Sequence, residues 1–300
     1  MKKDIKPADT PSGYSLLFLR IVRSEWIKLT TLRSTWWIAL VTILTNVGIS
    51  LIYIMSLRYG VLHQESGSDI PPGGSEEVFQ PGQLGMLSST VAQGCHLLGP
   101  VIFCILAIIT ITNEYSTGSI DATFIVGPRR GRILLAKLVV IGLAGIIVLV
   151  ISLAIGWASG YLFLQDSVGV DLSLTSPDSL RILGGFIGET VILAWLCFGL
   201  GALIRSTAGA ISAAIGVMWI LPLIFSLLSE VFIFDSHPTG WRLWFVNARQ
   251  YLPTTAGSQV SKLSPDTSLY SPWVGLGILG IWALVSLIFG FTAAIRRDAE

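Results

Sequence analysis

The chain has 300 residues, 52% of them hydrophobic and only 12% charged, with a mean hydropathy of +0.73. A soluble domain carries about 25% charged residues, so the composition excludes an ordinary water-soluble core and points to an integral membrane protein. The formal net charge of +1 identifies no partner by itself, and no nucleic-acid partner is expected.

Residues 1–14 form a polar stretch with two early lysines. They lack the apolar run of about 7–15 residues that a signal peptide requires, and read as a disordered cytoplasmic tail. Residues 15–33 (SLLFLRIVRSEWIKLTTLR) are amphipathic. Leu19, Val22, Trp26 and Leu29 share one helical face, while Arg20, Arg23, Ser24 and Lys28 fall off it. This pattern predicts an interfacial helix along the cytoplasmic headgroups, with Glu25 and Lys28 as an i,i+3 pair of small value. The plainer alternative is a cluster of charges that only sets topology.

Six later stretches carry the roughly 20 apolar residues that cross a bilayer: 36–57, 92–113, 138–164, 180–203, 209–234 and 273–295. Runs such as GLAGIIVLVISLAIGWASG and GAISAAIG are rich in small residues, which let helices approach closely in lipid. The ten-residue alternating segments of a membrane barrel are not seen. The expected fold is thus an all-α membrane protein, with residues 15–300 forming one six-helix transmembrane domain. Pro100 and Pro222 are expected to kink the second and fifth helices.

Six helices place fourteen Lys and Arg on one side and five on the other. The positive-inside rule makes the richer side cytoplasmic, with both termini there. The outer connections are acidic: Glu65, Asp69, Glu76 and Glu77 in the first, Asp166, Asp171 and Asp178 in the second. The third, 235–272, contains WRLWFVNARQYLP. Its aromatics suit an interface, so one or two short helices at or dipping into the outer leaflet are expected; a plain exposed loop is the alternative.

Familiar catalytic signatures are missing. We find no H-E-x-x-H, G-x-S-x-G or S-x-x-K, and no G-x-x-x-x-G-K-[ST] loop for nucleotide phosphates. The chain is therefore not expected to be an enzyme or to hold a cofactor or metal. Cys95, Cys104 and Cys197 read as buried packing residues, and His63, His96 and His237 as solvated or capping groups. Two acids fall in or near the bilayer, Glu230 close to the outer surface and Glu189 inside the fourth helix. An intramembrane carboxylate marks a functional position by default. Glu189, with Asn46 and Pro222, is a candidate for a polar pathway; a structural bond to Asn46, Arg181 or a hydroxyl is the alternative.

The cytoplasmic connector 114–137 is the most unusual stretch. Gly118 and Gly127-Pro128 punctuate it, and SIDATFIV between them allows two helical turns with an apolar ridge at Ile120 and Phe124. An exposed ridge between charged residues invites a protein partner; a loop lying on the headgroups is equally open, with Arg129, Arg130 and Arg132 serving topology.

Three pieces of this sequence resemble the permease subunits of ATP-binding-cassette transporters of the export class called type 2. SEWIKLTTLRSTWW is similar to that family's E-x-x-K segment followed by Arg and Trp. NEYSTGSI…GPRRGRILLAK resembles its first cytoplasmic loop, with an acid, T-G-[ST], Pro-Arg and a Lys opening the third helix; Ser119 stands where Thr is common. AIRRDAE is similar to its R-R-D-A ending. With the six-helix plan the resemblance spans nearly the whole chain.

The resemblance implies a plasma-membrane exporter subunit. It would pair with a second permease chain, alike or different, and dock on cytoplasmic ATP-binding subunits that hold ATP and magnesium. It implies that Glu25, Lys28, Glu114, Thr117, Gly118, Ile120, Phe124, Arg129 and Arg130 contact the motor subunit, and that the region of helices 5 and 6 forms an exit gate for an amphipathic or hydrophobic substrate. The competing expectations are an ion-coupled secondary transporter using Glu189, and a non-transporting sensor or immunity protein.

Overall fold

A computed structural model of the chain describes residues 18–65, 85–116, 130–165, 172–233, 247–265 and 270–297. Among these residues every regular element is a helix. In order they are α1 (Phe18–Thr31), α2 (Arg33–Glu65), α3 (Met86–His96), α4 (Gly99–Ser116), α5 (Arg130–Leu164), α6 (Pro177–Ile204), α7 (Thr207–Ile215), α8 (Leu221–Ile233), α9 (Pro253–Ser258) and α10 (Pro272–Arg297). A π turn, Gly216–Ile220, joins α7 to α8, and a 3₁₀ turn, Gln259–Ser261, extends α9.

Five helical runs are long and apolar enough to cross a membrane: α2, α5, α6, α7 continued through α8, and α10. The pair α3 and α4 meets the same test together, bent by 47° at Leu97-Leu98, and brings the number to six if it crosses as one span. Pro100 explains the break. It has no N–H for the carbonyl four residues earlier, and it sits in the first turn of α4, where that loss is tolerated. The stretch expected as one span over 92–113 is therefore two helices, the first of them starting at Met86.

The surface is inverted relative to a soluble protein. Trp36, Trp37, Leu44, Ile52, Leu223 and Ile281 are exposed, whereas Thr42, Asn46, Ser50, Ser152, Glu189 and Thr190 are each 0% exposed. On α2 the polar residues fall at positions 42, 46 and 50, one helical face turned inward. Apolar groups outside and polar groups turned inward are what a helix bundle in lipid shows. The chain is a multi-pass, all-α membrane protein.

α6 is the axis of the bundle, packing most extensively against α10 and α4. Ser176 caps its start, accepting from the Ser179 N–H at 3.2 Å, with Pro177 in the first turn. Its end is closed by Arg205 at φ 60°, whose N–H bonds the Gly201 carbonyl. Backbones touch where α6 crosses α10: a Cβ on Gly290 would lie 2.5 Å from the Gly199 carbonyl oxygen.

α1 lies against α5, with Val22, Trp26 and Leu29 packed on Val140 and Ala144. One detail differs from the periodicity reading: Leu19 is 75% exposed and off the packed face, while Glu25, which that reading left unplaced, is on it at 5%. The helix turns its buried stripe toward Glu25 because a charged partner waits there.

Candidate functional site

Four charged side chains from three helices meet at one end of the bundle. Glu25 and Lys28 are one helical turn apart on α1, Glu114 lies in the last turn of α4, and Lys137 lies in the second turn of α5. The Lys137 Nζ donates to Glu25 Oε2 and, at 2.5 Å, to Glu114 Oε1. Lys28 Nζ donates to Glu25 Oε1 at 2.7 Å and stands 4.0 Å from Glu114 Oε1. Two acids and two bases thus form a closed, neutral clasp.

Burial separates the members. Lys137 and Glu25 are 3% and 5% exposed, Glu114 is 15% exposed, and Lys28 is half exposed. Burial pushes the Glu25 carboxyl up, but the Lys137 and Lys28 ammoniums outweigh it and hold the group below the ordinary glutamate range. The core of the network is thus the buried Glu25–Lys137 pair, with the half-exposed Lys28 at its edge.

Nearby contacts brace the same end. The Arg205 guanidinium lies over the Tyr115 ring, 4.8 Å from its centre, and donates to the Ala293 carbonyl at 3.1 Å. Thr207 on α7 donates to Thr112 on α4 at 2.9 Å. Through these bonds α1, α4, α5, α6, α7 and α10 share one anchored end.

A second polar site lies deeper. Glu189 is twelve residues into α6, about 18 Å along its axis at 1.5 Å per residue. Its Oε1 pairs with His96 Nε2 at 2.9 Å, and its Oε2 accepts from the Ser261 hydroxyl at 3.2 Å. His96 is the last residue of α3, so the carboxylate bridges a broken helix, the central helix and the segment after α9. Of the partners foreseen for Glu189, a hydroxyl is present. Arg181 instead donates to the Val260, Lys262 and Leu263 carbonyls and to Asp178. His96, expected as a solvated or capping group, is the carboxylate's direct partner.

Asn46 is fully buried, its amide oxygen and nitrogen without a hydrogen-bond partner among the described residues, and presses on the break between α3 and α4. A Cβ on Gly99 would stand 2.2 Å from its Oδ1. Pro222 lies in the first turn of α8, just beyond the π turn, and does not join Asn46 or Glu189.

Of the expected motor-contacting residues, Glu25, Lys28 and Glu114 come together. Thr117, Gly118, Ile120, Phe124 and Arg129 lie outside the described residues, and Arg130 opens α5. Lys137 and His96 were not among the expected site residues. Lys137 had a signal, since a lone Lys one turn inside an apolar run needs an opposite partner; His96 had only its place in an apolar stretch, because its acid lies 93 positions away.

The model of a family described as "Protein of unknown function (DUF2705)" matches residues 69–299. The chain belongs to the DUF2705 family. The match takes in Glu114, Lys137, His96, Glu189 and Ser261, whereas Glu25 and Lys28 precede it. No curated protein matches the chain.

Proposed function

We propose that this DUF2705 chain is the permease subunit of an ATP-driven exporter of the type 2 ATP-binding-cassette class. It spans the cytoplasmic membrane six times with both termini inside, and works with a second permease chain and a separate subunit that binds ATP and magnesium. The substrate is amphipathic or hydrophobic and moves outward.

The observation that carries the reading is Lys137 held between Glu25 and Glu114. Glu114 and Lys137 flank the connector expected to dock on the motor, and Glu25 belongs to the helix expected beside it. A push on the connector is thereby passed to α1, α4 and α5 together instead of being absorbed by one loop. Thr117, Gly118, Ile120, Phe124, Arg129 and Arg130 would make the contact, and the clasp would transmit it.

Two variants separate these roles. Phe124→Asp should abolish co-purification of the ATP-binding subunit while the permease stays in the membrane. Lys137→Met should keep co-purification but lose stimulation of ATP hydrolysis. Normal stimulation in both variants would remove the docking assignment.

A second reading is favoured by one observation, the fully buried carboxylate of Glu189 against an imidazole. Such pairs serve ion-coupled transporters. Transport that persists without ATP and is lost in Glu189→Gln would establish that reading in place of the first.

A further inference from the structure

One apolar span is broken and another carries a π turn, and both irregularities are tied to the same short segment. In the second span, Pro100 leaves the His96 carbonyl without its helical donor, and the chain bends by 47° at Leu97-Leu98. In the fifth, Pro222 leaves the Met218 carbonyl without its donor, and the chain widens into the π turn Gly216–Ile220, where the Leu221 N–H reaches back to the Gly216 carbonyl. The Met218 carbonyl is not left empty: the Thr254 hydroxyl, in the first turn of α9, donates to it at 3.0 Å. The other end of that segment supplies Ser261, which donates to Glu189, which holds His96 at the first interruption.

The segment between these two attachments is suited to transmit movement. Thr254 and Ser261 are seven residues apart, about 10 Å if helical. Ala256 and Val260 are 0% exposed, and Gln259 and Ser261 are buried. The segment is pressed on α10 so closely that a Cβ on Gly275 would lie 2.3 Å from the Ala256 carbonyl oxygen. On the α6 side, Arg181 grips the carbonyls of Val260, Lys262 and Leu263. A short, buried helix fastened at both ends behaves as one body, whereas a loop would dissipate displacement.

We propose that Pro253–Ser261 is a strap that couples two breaks in helical regularity, the bend between α3 and α4 and the π turn between α7 and α8, through Glu189–His96 at one end and Thr254–Met218 at the other. Releasing either end loosens both breaks. This stands apart from the transport reading, since the coupling belongs to the permease chain alone. A contiguous path does not by itself establish coupling, so the test reads both breaks at once.

The full-length protein in lipid nanodiscs, without any ATP-binding subunit, is followed by amide hydrogen exchange over residues 93–104 and 213–224. Thr254→Val should speed exchange about fivefold in both windows, the scale of one lost hydrogen bond, and Thr254→Ser should restore the wild-type rates. Ser261→Ala, which removes only a hydroxyl, should do the same from the other end. The variant carrying both changes should exchange no faster than the faster single one, because one released end already frees the strap. Acceleration confined to each variant's own window overturns the proposal. So do additive effects in the double variant, which would mean that the two breaks communicate through the direct α4–α7 contact of Cys104 and Ile108 with Ala210 and Ala214. The transport reading would fail separately, through co-purification and ATP hydrolysis.

Discussion

Lys137 and Lys28 both touch Glu25, yet they should differ sharply in worth. Removing one partner of a buried pair strands a charge and costs about 3–5 kcal/mol, whereas an exposed pair contributes about 0–1 kcal/mol. Lys137→Met should therefore lower the Tm of the purified protein by several degrees, and Lys28→Met, half exposed, by little. Equal losses in thermal melts would show that the clasp is not the buried network described. The same carboxyl predicts a pH effect. Its folded-state value lies below the unfolded one, so its contribution is complete above the ordinary glutamate value of about 4.3 and is lost as the pH falls through the lowered value. Wild-type melts should therefore steepen their decline below about pH 4.3, and Glu25→Gln should start less stable and decline less. These pairings were only partly legible in the sequence. The acids and bases are plain, but i,i+3 spacing reports a neighbour on the same helix and is silent about a Lys 112 positions away. The sequence paired Glu25 only with Lys28, because the partner that makes its burial tolerable lies on another helix.

The packing at the break between α3 and α4 depends on one residue having no side chain. Gly99 gives up the space that the Asn46 amide fills, with 2.2 Å between its absent Cβ and Asn46 Oδ1. Gly99→Ala should cost about 1–3 kcal/mol by overpacking, and adding Asn46→Ala should recover most of it. Thermal melts of the two single variants and the double variant form the cycle that measures this; additive losses would exclude the contact. At the level of helices the sequence was a good guide to existence and a poor one to ends. Apolar length located α2, α5, α6 and α10 because lipid imposes that length directly. It placed the second span too late: Met86–Ala92 carries Ser88, Ser89 and Thr90, polar residues that face the bundle and are buried there. The proline rule located the bend beside Pro100, while Pro222 follows a π turn in a continuous run, and nothing local in the sequence shows that Thr254 answers the carbonyl freed by Pro222. That bond joins residues 36 positions apart.

The whole bundle has two chemically distinct ends. At one, Arg205 over Tyr115, Thr207 on Thr112 and the Lys137 clasp gather the ends of α4, α6 and α10 with the starts of α5 and α7. At the other, Gly85 at the start of α3 approaches Asp178, and Arg181 holds the 260–263 carbonyls. The basic excess in the sequence falls on the first end, and the positive-inside rule predicts that this end faces the cytoplasm. This orientation follows from charge distribution, whereas the geometry supplies only which residues share an end; together they make a definite experiment. Thr175, just before α6, and Ala208, in the first turn of α7, are exposed at opposite ends, and the native cysteines 95, 104 and 197 are all buried and contribute little background. In intact cells a membrane-impermeant maleimide should label Thr175→Cys at once and Ala208→Cys only after the membrane is permeabilised. The reverse pattern would turn the protein over, place the Lys137 clasp outside, and leave an ATP-binding partner no surface to push on.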